Sequence, residues 1–231
     1  SDFGDFHFQD ALNNKDREHL YKLATREIVS FQSSLLKSEE NLPTFSPEWQ
    51  AKELDIFREW CLPDLPDREY RDITSILVNA IDQIPKAFMH RDFHCRNILL
   101  CHEDELGVID FEGSMHGPVT YDLVSLLRDC YVDNDEDWIM QTTLQFQDSL
   151  LSSNLEYARV ESDEFIRWLD FTGLQRHLKC VGIFHRLHIR DQKPDYMKEV
   201  PRVVKYINTV LDRNPQLKDL KELFNRAKIL T

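Results

Sequence analysis

The chain has 231 residues, of which 42% are hydrophobic and 11% aromatic, a composition typical of a packed core and not of a disordered chain. Its formal net charge of -13 argues against a nucleic-acid partner, because proteins bind phosphate backbones through basic surfaces. No apolar run approaches the roughly 20 residues that cross a bilayer, and the first residues lack a basic-then-apolar signal, so we expect no membrane partner.

Three helices are predicted in the first third of the chain. The first covers residues 13–37, where apolar residues recur at three-to-four spacing. The second begins at Ser46, which can cap a helix whose first turn holds Pro47, and it ends near Trp60. The third covers residues 66–84. We interpret the apolar stripes of these helices as core packing.

Three short apolar strands follow, at residues 86–89, 98–101 and 107–110. A polar, glycine-containing turn separates the last two, and this pattern predicts a small β-hairpin. The loop between the first two strands carries Asp92 and Asn97, and Asp110 ends the third strand. We therefore expect these three side chains to lie around one point.

The three side chains have the chemistry of a phosphoryl-transfer site. Their oxygens are the hard ligands that Mg²⁺ prefers, and a carboxylate beside them can accept a proton from an alcohol. The stretch from His90 to Asn97 spells H-R-D-x-x-x-x-N, the catalytic-loop pattern of kinase-type enzymes, with Asp110 as the downstream metal ligand. The D-F-G tripeptide at residues 2–4 lies upstream of that loop, so the D-F-E at residues 110–112 takes the place of the metal-binding element.

The rest of the chain is predicted to be a loop followed by helices. Two glycines and Pro118 predict the loop, and a helix follows from about Thr120, with Asp122 in its first turn. A carboxylate there can stabilise the helix dipole, but we favour a role in supporting the nearby catalytic loop. Further helices are predicted at residues 134–151, 162–187 and 195–211 and after Pro215.

The chain has five cysteines, an odd number without a C-x-x-C pair, which predicts reduced thiols in a cytoplasmic protein. They are Cys61, Cys95, Cys101, Cys130 and Cys180. A zinc site made of Cys180, His185 and His188 is an alternative for three C-terminal residues. Histidines on a helix surface are the simpler interpretation.

Residues 90–97, 109–112 and 117–129 resemble the aminoglycoside phosphotransferase (APH) family. Within it, residues 174–179 and 182–191 are most similar to the bacterial cell-wall amino-sugar kinases, which phosphorylate N-acetylmuramate and N-acetylglucosamine at the anomeric hydroxyl. The resemblance covers nearly the whole chain. It implies an α+β fold, a protein-kinase-like C-terminal lobe that is mostly helical with a small β-hairpin at the catalytic loop.

The resemblance also implies a role for each matching residue of the catalytic loop. Asp92 would be the catalytic base that receives the proton of the substrate hydroxyl. Asn97 and Asp110 would hold Mg²⁺ against the phosphates of ATP. Arg96 would supply a catalytic cation, with a surface ion pair as the alternative.

Other residues are expected to support the loop or to contact the substrate. His90 is expected to orient the loop through hydrogen bonds, with Asp122 as its partner. The candidates for substrate contacts are Glu112, Arg176, His177 and Arg186. An arginine fork would suit the lactyl carboxylate of N-acetylmuramate, whereas Arg and His on a helix are commonly solvated.

The sequence departs from the family pattern at its start. That pattern begins with a lobe whose sheet carries a phosphate-covering loop, but this chain has six glycines and no glycine-rich loop. We therefore expect residues 1–12 to be the lobe junction and residues 13–231 to be the C-terminal catalytic and substrate-binding lobe. The N-terminal ATP lobe is then absent from this chain, which alone would be inactive.

Three functions remain open at this point. The first is an ATP- and Mg²⁺-dependent amino-sugar kinase, whose partners are a small-molecule substrate and a nucleotide. The second is a kinase of the same family acting on another alcohol, such as an aminoglycoside or choline, since an acidic protein suits a cationic acceptor. The third is a non-catalytic kinase-like binding module. The sequence leaves the oligomeric state open.

Overall fold

The computed structural model describes residues 5–34, 42–102 and 105–227. The chain divides into two compact units. The first unit consists of the residues up to Thr44 together with Pro85–Leu169, and the second of Phe45–Ile84 together with the residues from Asp170 onwards. None of the described helices carries an apolar stretch long enough to cross a membrane.

The described residues form nine α-helices and four short strands. In chain order they are α1 Phe8–Asn14, α2 Arg17–Ser34, α3 Pro47–Cys61, α4 Asp67–Asp82, β1 Lys86–Met89, β2 Ile98–His102, β3 Glu105–Val108, β4 Met115–Pro118, α5 Tyr121–Leu127, α6 Glu136–Ser152, α7 Ser162–Ile189, α8 Val200–Arg213 and α9 Lys218–Ala227. Short 3₁₀ turns precede α8 and α9 and follow β3. The fold is therefore mostly helical with small sheets, as predicted.

The strands of the first unit form two antiparallel pairs. Strand β1 pairs with β4, from Lys86 opposite Pro118 to Met89 opposite Met115. Strands β2 and β3 form a hairpin, with Ile98 opposite Val108. The predicted hairpin is confirmed, although β3 begins and ends two residues earlier than expected. The pairing of β1 with β4 brings the two ends of the segment 90–114 together.

Strand β4 was not predicted, because its glycine and proline were interpreted as part of a loop. A proline cannot donate a ladder hydrogen bond and is tolerated where its strand needs no donor. Pro118 is the last residue of β4, and β1 and β4 form a sheet of two strands, in which both are edge strands. Pro118 therefore does not prevent the pairing of β4 with β1, although proline is generally unfavourable in strands.

The single helix predicted for residues 13–37 is wrong at its start. Helix α1 ends at Asn14, Lys15 is extended, and α2 begins at Arg17. The side chain of Asp16 accepts hydrogen bonds from the backbone N–H groups of Glu18 at 3.0 Å and His19 at 3.3 Å. Asp16 thus begins a new helix, and the residues on both sides of it, 13–19, are all polar. The predicted end of this helix lies outside the described residues.

The second unit contains helices α3, α4, α8 and α9 and the later part of α7. The predicted start of α3 is confirmed, because the Ser46 hydroxyl accepts a hydrogen bond from the backbone N–H of Trp49 at 3.3 Å. Helix α7 approaches α3 closely at Gly182. A Cβ atom at this position would lie 2.7 Å from the Phe57 Cα atom, so only glycine permits this approach.

Candidate active site

The loop between β1 and β2, residues 90–97, is called here the catalytic segment. Buried and accessible side chains alternate along it. His90, Phe93 and Cys95 are buried, with exposed fractions of 2%, 0% and 1%. Asp92 and Asn97 are half-buried. The ring of Phe93 packs edge-on against the ring of His90, with ring centroids 5.9 Å apart. These buried anchors fix the backbone of the segment, so that the polar side chains between them have defined positions.

The structure brings Asn97 and Asp110 together beside Asp92. The Asn97 side-chain amide donates to the Asp92 backbone carbonyl at 3.1 Å and to the Asp110 carboxylate at 3.5 Å. The backbone N–H of Ile109 donates to the Asn97 carbonyl at 3.0 Å. Asp110 is in the left-handed region, with φ of 65°, where Asp is tolerated better than most residues. Asn97 therefore meets the side chain of Asp110 and the backbone of Asp92, and the convergence of all three side chains stays a prediction.

Asp122 supports the turn that precedes Asp92. Its carboxylate, 3% exposed, accepts hydrogen bonds from the backbone N–H groups of His90 at 2.7 Å and Arg91 at 2.9 Å. Arg91 has a φ of 80°, a conformation that costs about 1–3 kcal/mol for a side chain of this kind. The sequence predicted Asp122 as a partner of His90, and the contact shown here is made through backbone amides. The carboxylate thus offsets the strain of the turn.

Burial disfavours the charged form of the His90 imidazole. Burial lowers its pKa below the ordinary value of 6.5, opposed by the carboxylate of Asp92, the backbone of Ile109 and the carboxylate of Asp110. Neither of its buried ring nitrogens makes a hydrogen bond of normal geometry to the described residues, so the predicted orienting hydrogen bonds are not seen. That orienting role stays a prediction.

A second carboxylate, which sequence reasoning missed, supports the other end of the segment. Asp129, 1% exposed, accepts hydrogen bonds from the backbone N–H groups of Cys95 and Tyr131, each at 2.8 Å. Asp129 lies beyond the end of α5 at Leu127, so a helical spacing from Asp122 does not account for its position. No local sequence pattern identified it.

Arg96 follows Cys95 and contacts Tyr131, the two residues whose backbones donate to Asp129. Its guanidinium carbon lies 3.5 Å from the ring centroid of Tyr131, a cation–π contact. Its Nε atom donates to the Gln9 side-chain oxygen at 3.4 Å. The ring of His94 also packs edge-on against Tyr131, with ring centroids 5.5 Å apart. The catalytic role predicted for Arg96 stays a prediction.

The residues predicted to contact the substrate are divided between the units. Glu112 is exposed in the 3₁₀ turn beside Asp110, in the first unit. Arg176, His177 and Arg186 lie on α7 in the second unit. The first two of these are 3% and 0% exposed, so the alternative of solvated side chains is wrong for them. Their contact with a substrate stays a prediction.

The alternative of a zinc site finds no support among the described residues. No group of three or more His, Cys, Asp or Glu side chains that could hold a metal ion occurs there. The ring Nδ1 of His185 lies 2.9 Å from the Val181 carbonyl one turn earlier on the same helix. All five cysteines are free thiols.

Three relatives with established names cover 96% of this chain. Each is named N-acetylmuramate/N-acetylglucosamine kinase. The one from Neisseria meningitidis is 32% identical to this chain, which spans 69% of it. Those from Pseudomonas aeruginosa and Pseudomonas putida are 32% and 31% identical, and the chain spans 67% of each.

A solved structure shares the fold. The chain superposes on an ethanolamine kinase from Plasmodium vivax with a TM-score of 0.61 and 13% identity, covering 93% of this chain and 64% of that one. At this identity the likeness shows a kinase-like fold and no more. The chain therefore spans about two thirds of the length of the relatives it matches.

The family itself is identified by a longer match than the catalytic loop alone. Residues 5–160 match the family described as APH, phosphotransferase enzyme family. This match takes in the loop, the hairpin, Asp110 and both supporting carboxylates, and it agrees with the names of the relatives. The predicted resemblance is confirmed: the chain belongs to the phosphotransferase enzyme family.

Proposed function

We propose that the protein is an ATP- and Mg²⁺-dependent kinase that phosphorylates the anomeric hydroxyl of N-acetylmuramate and N-acetylglucosamine. The convergence of Asp92, Asn97 and Asp110 carries this proposal, because it combines a base with two oxygen donors. The names of relatives that are 31% and 32% identical support the amino-sugar acceptor. The five free thiols support a cytoplasmic location.

Asp92 is proposed as the general base. Its carboxylate accepts the proton of the sugar hydroxyl as the new oxygen–phosphorus bond forms and the bond between the γ-phosphorus and its bridging oxygen breaks. The buried neighbours of Asp92 fix its backbone, so the carboxylate meets the hydroxyl in a defined orientation. This positioning is the main contribution that a protein makes to phosphoryl transfer.

Asn97 and Asp110 are proposed to hold Mg²⁺. The amide nitrogen of Asn97 lies 3.5 Å from the Asp110 carboxylate, and a rotation of the amide would place its oxygen beside that carboxylate as a second hard ligand. Two protein ligands suffice, because Mg²⁺ usually keeps several waters and binds substrate phosphates directly. When bound, Mg²⁺ neutralises charge on the phosphates of ATP. The residues present therefore fit the ion.

Acceptor recognition is proposed to involve Glu112, Arg176, His177 and Arg186. A guanidinium can bind the lactyl carboxylate of N-acetylmuramate through two parallel hydrogen bonds. N-acetylglucosamine has no such group, so an arginine of this kind would favour one sugar over the other. Glu112, exposed beside Asp110, can accept hydrogen bonds from sugar hydroxyls.

The test is transfer of phosphate from ATP, with the products followed by phosphorus NMR. The assay uses the longest form of the protein that its gene encodes, because the chain spans about two thirds of its relatives and we expect residues 13–231 to form one lobe of the enzyme. A sugar 1-phosphate signal that EDTA abolishes and excess Mg²⁺ restores is the expected result. Transfer that continues in EDTA would contradict the metal dependence.

A kinase of a cationic alcohol is the second candidate function. The net charge of -13 would attract a cation such as choline or an aminoglycoside. An assay with both sugars, choline and an aminoglycoside as acceptors separates the two candidates. Transfer to the cationic alcohols alone would replace the amino-sugar assignment. Nucleotide binding without transfer to any of the four acceptors would favour the non-catalytic module.

A further inference from the structure

Three consecutive residues of the catalytic segment contact the segment that follows α5. The ring of His94 packs edge-on against the Tyr131 ring, and the Cys95 backbone N–H donates to the Asp129 carboxylate at 2.8 Å. The guanidinium of Arg96 lies over the Tyr131 ring at 3.5 Å. The catalytic segment therefore has a continuous support on this side, distinct from the one that Asp122 gives to its first residues.

One carboxylate sets the spacing of the cation–π pair. Asp129 accepts from Cys95, the neighbour of Arg96, through one oxygen and from the backbone of Tyr131 through the other. The backbones that carry the two partners are thus tied to the same buried group. A chance contact between a ring and a guanidinium on the protein surface would not require a buried carboxylate that binds both backbones.

We propose that Tyr131 is a positioning residue for the phosphoryl-transfer reaction, which holds in one orientation the guanidinium of Arg96, the residue that precedes the candidate metal ligand Asn97. This inference rests on the proposed function. Arg96 precedes Asn97 directly, and the side chain of Asn97 meets that of Asp110. A guanidinium is always charged, so a cation at this place can stabilise negative charge that develops on a transferring phosphoryl group.

An arginine side chain without a fixed orientation would stabilise the charge on the phosphoryl group less well. It has several rotatable bonds, and ordering them during the reaction would cost entropy that a preorganised side chain does not lose. The flat face of Tyr131 accepts the guanidinium, and the Gln9 side chain accepts from its Nε atom at 3.4 Å. The aromatic face and not the hydroxyl makes the contact with the cation. This distinction provides the test.

The first experiment compares Tyr131→Phe with Tyr131→Leu in the phosphate-transfer assay. Phe keeps the aromatic face, so Tyr131→Phe keeps most of kcat. Leu fills space without a π face, so Tyr131→Leu lowers kcat about 10- to 100-fold with little change in the KM of either substrate. An equal loss of kcat in both variants would overturn the proposal, as would wild-type kcat in Tyr131→Leu.

A double-mutant cycle shows whether Tyr131 acts through Arg96. Arg96→Met lowers kcat in the wild-type background, and the same change in Tyr131→Leu has little further effect, because the guanidinium is already misplaced. If Arg96→Met lowers kcat by the same factor in both backgrounds, Tyr131 has a separate role and the proposal is wrong. The thermal unfolding midpoint is measured for every variant, so that loss of folded protein is not counted as loss of kcat.

A chemical probe tests the pairing without any enzyme assay. Phenylglyoxal modifies accessible guanidinium groups, and the modified peptides are quantified by mass spectrometry. We expect Arg96 to react several-fold faster in Tyr131→Leu than in the wild type, while Arg68, with a side chain 94% exposed, reacts equally in both. An unchanged rate at Arg96 would overturn the pairing.

The outcomes for the two proposals can be distinguished. Absence of transfer by the protein with its native side chains would overturn the proposed function and the positioning role together. Native transfer combined with unchanged kinetics in Tyr131→Leu would overturn the positioning role alone.

Discussion

At the scale of single residues, the candidate site is organised by carboxylates that accept hydrogen bonds from backbone amides. Asp122 holds the strained turn before Asp92, and Asp129 holds the backbone three residues after it. Neither carboxylate is assigned a part in the reaction itself. They fix the backbone on both sides of Asp92, the residue proposed as the general base.

The first residue-scale prediction concerns Asp92. Asp92→Asn removes the proton acceptor but keeps the size of the side chain, so we expect kcat to fall by about 10²–10⁴ or more. The measurement is phosphate transfer, with circular dichroism to verify the fold. Asp195→Asn, an exposed change in the second unit, serves as the control and keeps wild-type turnover. Normal turnover by Asp92→Asn would disprove the assigned mechanism.

The second residue-scale prediction concerns Asp122. Asp122→Ala leaves the buried amides of His90 and Arg91 without this acceptor, at about 1–3 kcal/mol for each unsatisfied group. We expect the free energy of unfolding in urea to fall and kcat to fall with it. Asp122→Asn keeps one side-chain oxygen and loses less of both quantities. Wild-type stability in the alanine variant would show that the turn does not depend on this carboxylate.

The third residue-scale prediction concerns His90 and pH. Its folded-state pKa lies below that of the unfolded chain because of burial, so below pH ~6.5 the unfolded chain binds the extra proton first. The contribution of neutral His90 to the free energy of unfolding is therefore present above pH ~6.5 and is lost as the pH falls. Between pH 7 and pH 5, the free energy of unfolding measured in urea should fall less in His90→Asn than in the wild type. His188 is exposed, so His188→Asn is the control and should show the same change in the free energy of unfolding with pH as the wild type.

At the scale of secondary-structure elements, the crossing of α3 and α7 in the second unit depends on Gly182. Gly182→Ala would place a Cβ atom 2.7 Å from the Phe57 backbone, so the two helices must separate. We expect a loss of about 1–3 kcal/mol in the free energy of unfolding, although alanine favours helix by about 1 kcal/mol. Gly113→Ala is the matched control, since its Cβ would lie 3.5 Å from Arg91 Nη1, an ordinary contact. Equal effects of the two changes would contradict the close approach.

The elements also show where local sequence signals suffice. The Ser46-Pro47 start of α3 was predictable, because the cap and the proline act within one turn. Strand β4 was not, because its partner β1 lies well before it in the chain and its own residues favour a loop. The break at Asp16 was missed for another reason. The residues around Asp16 are all polar and the apolar stripe begins only at Leu20, so apolar periodicity does not locate the start of α2.

At the scale of the whole molecule, the net charge of -13 predicts a response to salt. Excess negative charge repels itself and destabilises the folded state, and added ions screen this repulsion. We expect the thermal unfolding midpoint to rise between 10 mM and about 300 mM NaCl, by roughly 2–4 °C for each kcal/mol gained. The same measurement with added sucrose at constant ionic strength controls for effects on the solvent. A midpoint that falls with salt would show that attractive ion pairs dominate.

The candidate site was partly readable from the sequence. The contacts of Asn97 with the Asp110 side chain and the Asp92 backbone were predictable, because a loop and a hairpin join these residues over a short stretch. The support from Asp129 and Tyr131 was not, since it depends on how the chain returns after α5. The expected absence of an N-terminal ATP lobe and the lobe boundaries stay predictions, and residues 2–4 lie outside the described residues.

The pairing of β1 with β4 has a consequence for the order of folding. The β2–β3 hairpin has a short turn and can form within about 1–10 μs. The contact between Met89 and Met115 requires that the whole chain between them close into a loop. Closing this loop loses more chain entropy than closing the shorter turn of the hairpin. A ribosome must also release β4 before β1 has a partner. We therefore expect residues 90–114, which include the catalytic loop, to reach their final conformation late in the folding of the first unit, after the hairpin that they contain.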